Sequence, residues 1–246
     1  MPTTQVLTEI PPARPSSTVV LVREGPEAPE VFMVKRHERS AFGSAYAFPG
    51  GVLEDADHNV HDHCVGLSSA DANRVLAVES GGLDYFCAAV RELFEESGVL
   101  LGCTQLSNDE LDRARAELNA GALRWDDFVH ANELLMTCDR LHYFSFRITP
   151  PELPKRYSAR FFLAELPAGQ QAVHCGGELT DSCWMSAQAI LNASRNKTMR
   201  VHHPTRKTLE RIAQFDSVAA LSVWASSCAE QGVICDQPAL APEMLR

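Results

Sequence analysis

The sequence predicts an α/β protein, and three observations lead to that class. Short β-branched, apolar runs and longer amphipathic stretches are mixed along the whole chain, with no internal repeat and no low-complexity block. The length of 246 residues suits one large or one decorated domain and leaves little room for two. Hydrophobic residues at 45% and charged residues at 22% are ordinary for a globular chain with a sizeable core, which excludes disordered, fibrous and collagen-like classes.

The elements follow in order. Residues 1–15 contain Pro2, Pro11, Pro12 and Pro15, which oppose both a helix and a central strand, so a flexible tail is expected there. Residues 17–23 and 31–35 are β-branched and apolar with Glu24-Gly25-Pro26 turn chemistry between them, the signature of a hairpin with a longer loop. Residues 71–80 read as a helix stopped by Gly81-Gly82, and residues 84–97 as a strong helix ended by Gly98. Two further helices are expected over residues 108–118 and 125–136, separated by Gly121. Strands are expected over residues 141–148 and 160–166, and a short one over 182–185. Pro204 suits the first turn of a helix over residues 205–215, and residues 217–230 give the last helix.

Charge and composition bound the function. With 22 basic against 32 acidic residues the net charge is −10, the opposite of what phosphate-rich nucleic acid attracts. No apolar run approaches the roughly 20 residues that span a bilayer, and prolines and Arg14 interrupt the start where a signal peptide needs an apolar stretch. A soluble, cytoplasmic protein with neither nucleic-acid nor membrane partners is expected; a homodimer is left open. The eight cysteines are scattered and form no C-x-x-C pair, so reduced, packed thiols are expected.

The segment that carries chemistry is Arg91-Glu92-Leu93-Phe94-Glu95-Glu96-Ser97-Gly98-Val99. At about 100° per residue, Glu92, Glu95 and Glu96 share a helix face about 100° wide, while Phe86, Val90, Leu93 and Phe94 take the opposite face. Glu-rich faces are often simply solvated, but three like charges packed together repel, and a hard cation turns that repulsion into a site. Oxygen-only ligands point to Mg²⁺ or Mn²⁺, metals that keep waters and share substrate phosphates. Arg91 lies beside that face, placed to hold a carboxylate by charge-assisted hydrogen bonds. Upstream, Phe48-Pro49-Gly50-Gly51 offers a turn whose glycines let backbone approach a phosphate or the helix.

These residues resemble the Nudix hydrolase box, G-x5-E-x7-R-E-U-x-E-E-x-G-U, where U is a bulky aliphatic residue. Gly51 matches its glycine, Asp57 stands where the first Glu is expected, and Arg91 to Val99 match every fixed position of the second half. Between Asp57 and Arg91 lie 33 residues instead of 7, so an insertion must loop out and return to the same helix. Beyond the box, Phe48 to Leu53, Arg156-Tyr157 ahead of Phe161-Phe162-Leu163, Glu178 six residues before Trp184, and Arg211 to Phe215 are similar to the coenzyme A and acyl-CoA diphosphatase branch. The upstream coenzyme A motif, L-L-T-x-R-S-x3-R-x3-G-x3-F-P-G-G, is met in part. Arg36 is followed by His37, Arg39 comes two residues early, and four residues separate Gly43 from Phe48 instead of three.

The resemblance implies a Nudix-type mixed β-sheet sandwiched between helices over residues 16–246, with an insertion near 58–83, a helical addition near 107–137 and extra C-terminal helices near 204–230. It implies an Mg²⁺- or Mn²⁺-dependent diphosphatase, a hydrolase acting on a phosphoanhydride. The small-molecule nucleotide substrate it points to is coenzyme A or acyl-CoA, giving 3′,5′-ADP and (acyl-)phosphopantetheine. ADP-ribose, a dinucleotide or a nucleotide sugar presents the same diphosphate, and a non-catalytic nucleotide-binding module is the rival from another class. Glu92, Glu95 and Glu96 are expected to bind metal or serve the water, with Arg91 beside them, and which of them is the base is open. Glu178 is a candidate to position or deprotonate the attacking water. Gly50 and Gly51 with Arg36, Arg39 and Arg156 are the expected substrate-binding residues, Arg offering phosphate a forked donor set; Lys155 and Arg160 belong to the same basic cluster. His58, His61, His63 and Cys64 could be soft ligands for Zn²⁺ but read better as a polar loop, and no G-x-S-x-G motif supports serine catalysis.

Overall fold

The computed structural model describes residues 11–37, 44–176, 179–231 and 233. Its strands are β1 (Arg14–Arg23), β2 (Glu30–Arg36), β3 (Tyr46–Ala47), β4 (Gly50–Val52), β5 (Cys64–Val65), β6 (Gly102–Cys103), β7 (Leu135–Thr137), β8 (His142–Ile148), β9 (Tyr157–Glu165) and β10 (Leu179–Ser186). Its helices are α1 (Asp55–His58), α2 (Ser69–Leu76), α3 (Gly82–Ser97), α4 (Asn108–Asn119), α5 (Trp125–Ala131), α6 (Ala187–Arg195), α7 (His203–Ile212) and α8 (Val218–Gln231). The main sheet runs β10-β2-β1-β9-β8, with β3 added to β2 and β4 to β1. Only the β1–β9 ladder is parallel, so the sheet is mixed. A second sheet, β5-β7-β6, lies in the inserted region.

The central strands are apolar at nearly every position because both faces are covered. Val19 and Leu21 of β1, Phe32 and Val34 of β2, and Phe162 and Ala164 of β9 pack with α2, α3 and α5. Their neighbours Val20, Val22, Val31, Met33, Phe161 and Leu163 face α6, α7 and α8. The period of two along each strand therefore divides one core into two layers with the sheet between them. The box helix α3 buries Leu83, Phe86, Ala89, Val90, Leu93 and Phe94. The described cysteines are free thiols, and three meet where the insertion joins α3, with Cys64 Sγ 3.3 Å from Cys87 Sγ and 3.2 Å from Cys138 Sγ.

Several expectations change. Of the expected N-terminal tail, residues 1–10 lie outside the described residues, but Arg14 and Pro15 already belong to β1, a central strand. Pro15 is tolerated because it closes the ladder with β4, where its carbonyl accepts from Leu53 N–H at 3.1 Å and a single terminal bond is forgone. The helix expected over residues 125–136 stops at Ala131. Asn132 Nδ2 donates back to Phe128 O at 2.8 Å, Glu133 turns to φ 47°, and the chain enters β7. The helix over residues 71–80 ends at Leu76, where Ala77 adopts φ 52°. Gly81-Gly82 opens α3 instead of closing α2, the Gly82 N–H donating to Asn73 Oδ1 at 2.7 Å. The polar loop over His58 to Cys64 is ordered as α1 and a 3₁₀ turn, His61–His63.

Candidate active site

The site is built where the β4 turn meets the C-terminal half of α3. Gly50 has φ 150° and a Cβ there would run into the Ser17 carbonyl, while a Cβ on Gly51 would overlap Glu92 Oε1. The two glycines therefore let the turn lie directly against the box carboxylates. Gly50 N–H donates to Glu96 Oε2 at 2.9 Å, which fixes that carboxylate against the turn.

Arg91 is 2% exposed and organises what surrounds it. Its Nε donates to Asp57 Oδ1 at 2.8 Å and its Nη2 to Asp57 Oδ2 at 3.0 Å, a bidentate pair with a fully buried carboxylate. Nη2 also donates to Val52 O at 2.9 Å, and Nη1 reaches Glu92 Oε1 at 2.8 Å and Glu95 Oε2 at 3.3 Å. Burial opposes the Arg91 charge, but the Asp57 hydrogen bonds and the charges of Glu92, Asp57 and Glu95 outweigh it and hold the guanidinium protonated. Asp57 also accepts from Glu54 N–H at 2.8 Å, closing the reciprocal cap of α1. One arginine thus links α1, the end of β4 and two carboxylates of α3.

The C-terminal carbonyls of α3 are capped from two directions. Arg115 Nε and Asn119 Nδ2 of α4 donate to Glu95 O at 3.0 and 3.1 Å. Val173 N–H and Cys175 N–H donate to Ser97 O and Glu96 O at 2.9 and 3.3 Å. A cation at a helix C-terminus also suits the dipole.

The three carboxylates offer the oxygen donors that a hard divalent cation takes. Glu96 is 7% exposed, and the side chains of Glu92 and Glu95 are 13% and 21% exposed, so all three are largely withdrawn from water. Burial pushes the Glu95 carboxyl up to about 7; Arg91 pulls against this, and Glu92, Glu54 and Asp57 add to it. A buried carboxylate beside a second one, with oxygen donors only, is stabilised by a hard cation.

The expected site residues separate into groups. Glu92, Glu95, Glu96, Arg91, Gly50 and Gly51 are brought together. Arg156 is buried and donates within the fold, Nε to Thr149 O at 3.1 Å and Nη1 to Pro11 O at 2.6 Å, joining the residues before β1 to the β8–β9 hairpin. Glu178 and Arg39 lie outside the described residues, as does the Arg36 side chain. Sequence reasoning misses Asp57 as a positioning residue and Glu54 beside it. The available signal is the acidic residue six positions after Gly51, but its partner is 34 residues away in sequence. Arg160 is 5% exposed, its guanidinium 4.1 Å from the centre of the Tyr85 ring on the α3 side of the sheet. A cavity of about 170 Å³ lies on the opposite sheet face, between β8 and α7.

A crystal structure of a Nudix hydrolase from Alicyclobacillus acidocaldarius superposes with a TM-score of 0.71 at 22% identity, covering 86% of this chain and 96% of that one. The chain has the fold of a Nudix hydrolase. No protein-family model matches it. Among curated sequences the chain is 23% identical over 189 residues to the putative nudix hydrolase 7 of Caenorhabditis elegans, covering 75% of this chain and 56% of that protein. It is 22% identical over 234 residues to the acyl-coenzyme A diphosphatase NUDT19 of Xenopus laevis, covering 78% of this chain and 62% of that one. It spans about three fifths of the length of these curated relatives. Among its described residues no helix is long and apolar enough to cross a membrane.

Proposed function

We propose that the protein is a metal-dependent Nudix diphosphatase that cleaves a nucleoside diphosphate linked to another group, with coenzyme A or acyl-CoA as the favoured substrate. The observation that carries the reading is the Glu92, Glu95 and Glu96 cluster, closed on one side by the Gly50-Gly51 turn and held by Arg91 and Asp57. Bound Mg²⁺ or Mn²⁺ supplies neutralisation of the diphosphate charge and activation of water. The protein's own part is positioning. Gly50 N–H orients Glu96, Arg91 orients Glu92 and Glu95, and Asp57 keeps the Arg91 guanidinium in one plane. Leu93 and Phe94, buried beneath, anchor the helix so that these carboxylates keep their spacing. An enzyme is favoured over a nucleotide-binding module because all three carboxylates and their orienting arginine are present and held together by hydrogen bonds.

The coenzyme A preference rests on the motif likeness upstream of the box and on the similarity to an acyl-coenzyme A diphosphatase. Hydrolysis of coenzyme A, acyl-CoA, dephospho-coenzyme A and ADP-ribose in Mg²⁺ tests it. The expected result is that kcat/KM is highest for coenzyme A or its acyl esters. Faster hydrolysis of ADP-ribose leaves the diphosphatase reading and removes the coenzyme A one, and no hydrolysis of any diphosphate removes both.

A further inference from the structure

The insertion returns to the box helix beside a second group of metal-ligating side chains, separate from the box carboxylates. His58 ends α1, His61 opens the following 3₁₀ turn, and Asp84 stands in the first turn of α3. His58 Nδ1 lies 3.1 Å and His61 Nε2 2.6 Å from the same atom, Asp84 Oδ1, and the three ligand atoms are all within 4.8 Å of one another. The imidazole rings are 4.7 Å apart and tilted by 58°, so each aims a different ring nitrogen at the shared carboxylate.

We infer that His58, His61 and Asp84 form a binding site for Zn²⁺ or a similar borderline divalent cation, clasping the neck of the insertion. Two imidazoles and one carboxylate are the donor types Zn²⁺ takes, and three protein ligands leave a fourth position for water. Ligand-to-zinc bonds of about 2.0–2.2 Å place tetrahedral ligand atoms roughly 3.3–3.6 Å apart. The separations from Asp84 Oδ1, 2.6 and 3.1 Å, are shorter than this, so the imidazoles would draw back by about an ångström or less to admit the ion, and all three ligand atoms already lie within 4.8 Å of one another. The His58 side chain is 70% exposed while those of His61 and Asp84 are each 22% exposed, so the site opens to solvent on the His58 side and has a path for an ion.

Position decides what the ion does. His58 directly follows Asp57, the partner of Arg91, while Asp84 lies seven residues before Arg91 on the same helix. A cation held by both fastens the departing and returning ends of the insertion together. It reinforces the Asp57–Arg91 pair from the solvent side. At about 1.5 Å of rise per residue, Asp84 is roughly 12 Å along α3 from Glu92, so this is not the box site. Nitrogen ligands also discriminate, because Mg²⁺ favours oxygen and Zn²⁺ accepts both.

The test uses the full chain in excess Mg²⁺, which occupies oxygen-only sites. After exposure to Zn²⁺ and gel filtration, elemental analysis is expected to find one equivalent of zinc in the wild type and a strong loss in His58→Ala, His61→Ala and Asp84→Asn. The wild type should also gain thermal stability with Zn²⁺, and the variants should lose that gain. Co²⁺ substitution separates this site from the nearby thiols: nitrogen and oxygen ligation gives visible d–d bands without the near-ultraviolet thiolate charge-transfer band. Should Asp84→Asn fail to fold, the exposed His58→Ala carries the test. No zinc retained by the wild type, full retention in His58→Ala and His61→Ala, or a thiolate spectrum would each overturn the assignment.

Discussion

Replacing Glu95 by Gln keeps the size of the side chain and its acceptor for Arg91 while removing one charge from the carboxylate cluster. In the folded protein without metal the Glu95 carboxyl is raised from 4.5 to about 7. A carboxyl held that high costs no stability while protonated, below its unfolded value of 4.5. As pH rises through 4.5 the unfolded chain releases its proton, the folded chain keeps it, and stability falls until the folded group also ionises near 7. The window is therefore pH 4.5 to 7, and the loss is complete above it. At 1.36 kcal/mol per pH unit the interval corresponds to about 3 kcal/mol. With the side chain 21% exposed, solvent screening brings this nearer about 2 kcal/mol. For a domain of this size that is roughly 4–8 °C in Tm. Thermal unfolding in EDTA at pH 4 and pH 8 measures it: the Gln variant should match the wild type at the lower pH and exceed it at the higher. With Mg²⁺ added the order should reverse, since only the wild type retains the full ligand set, and turnover of the variant should drop at least about a hundredfold. A Gln variant that is less stable than the wild type at pH 8 without metal would show that the Glu95 charge supports the fold, and the reasoning would fail.

Other perturbations follow from the same geometry. Asp57→Asn leaves a buried guanidinium without its bidentate partner and should destabilise the fold by about 3 kcal/mol, the low end for a broken buried pair because Val52 O, Glu92 and Glu95 remain; chemical denaturation measures it. Gly51→Ala should displace the Glu92 carboxylate and raise the Mg²⁺ concentration needed for half-maximal rate, while circular dichroism stays native. Arg156→Ala should lower stability by about 1–3 kcal/mol through the lost bonds to Thr149 and Pro11, and should change kcat/KM for coenzyme A and dephospho-coenzyme A alike; a loss confined to coenzyme A would instead place Arg156 on its 3′-phosphate.

Local signals in the sequence are legible and distant ones are not. The apolar strands β1, β2, β8 and β9 and the box helix can be read because burial on both sheet faces and a 3.6-residue period leave plain patterns. The short strands β3 and β4 cannot, since three or fewer residues carry no period, and β4 exists because Gly50 and Gly51 fit against Ser17 and Glu92. The region after Trp125 reads as one helix because Leu134 and Met136 continue its apolar pattern, yet both are buried beyond a left-handed turn at Glu133. The three carboxylates can be placed on one face from spacing alone. The partnership of Asp57 with Arg91, the convergence of His58, His61 and Asp84, and the meeting of three thiols all depend on how the insertion closes, which no local pattern encodes.

The Asp57–Arg91 pair has a consequence for how this box tolerates interruption. Lengthening the segment between its two halves from 7 to 33 residues raises the closure entropy only with the logarithm of length, by about 1.4 kcal/mol. Breaking a buried ion pair costs about 3–5 kcal/mol, more than the added closure entropy. Val60, Ala72 and Leu76 of the inserted segment are themselves buried against the core, which offsets that entropy further. The motif is thus defined by a contact in space, and the intervening chain can grow into a substructure of its own while Arg91 stays in register.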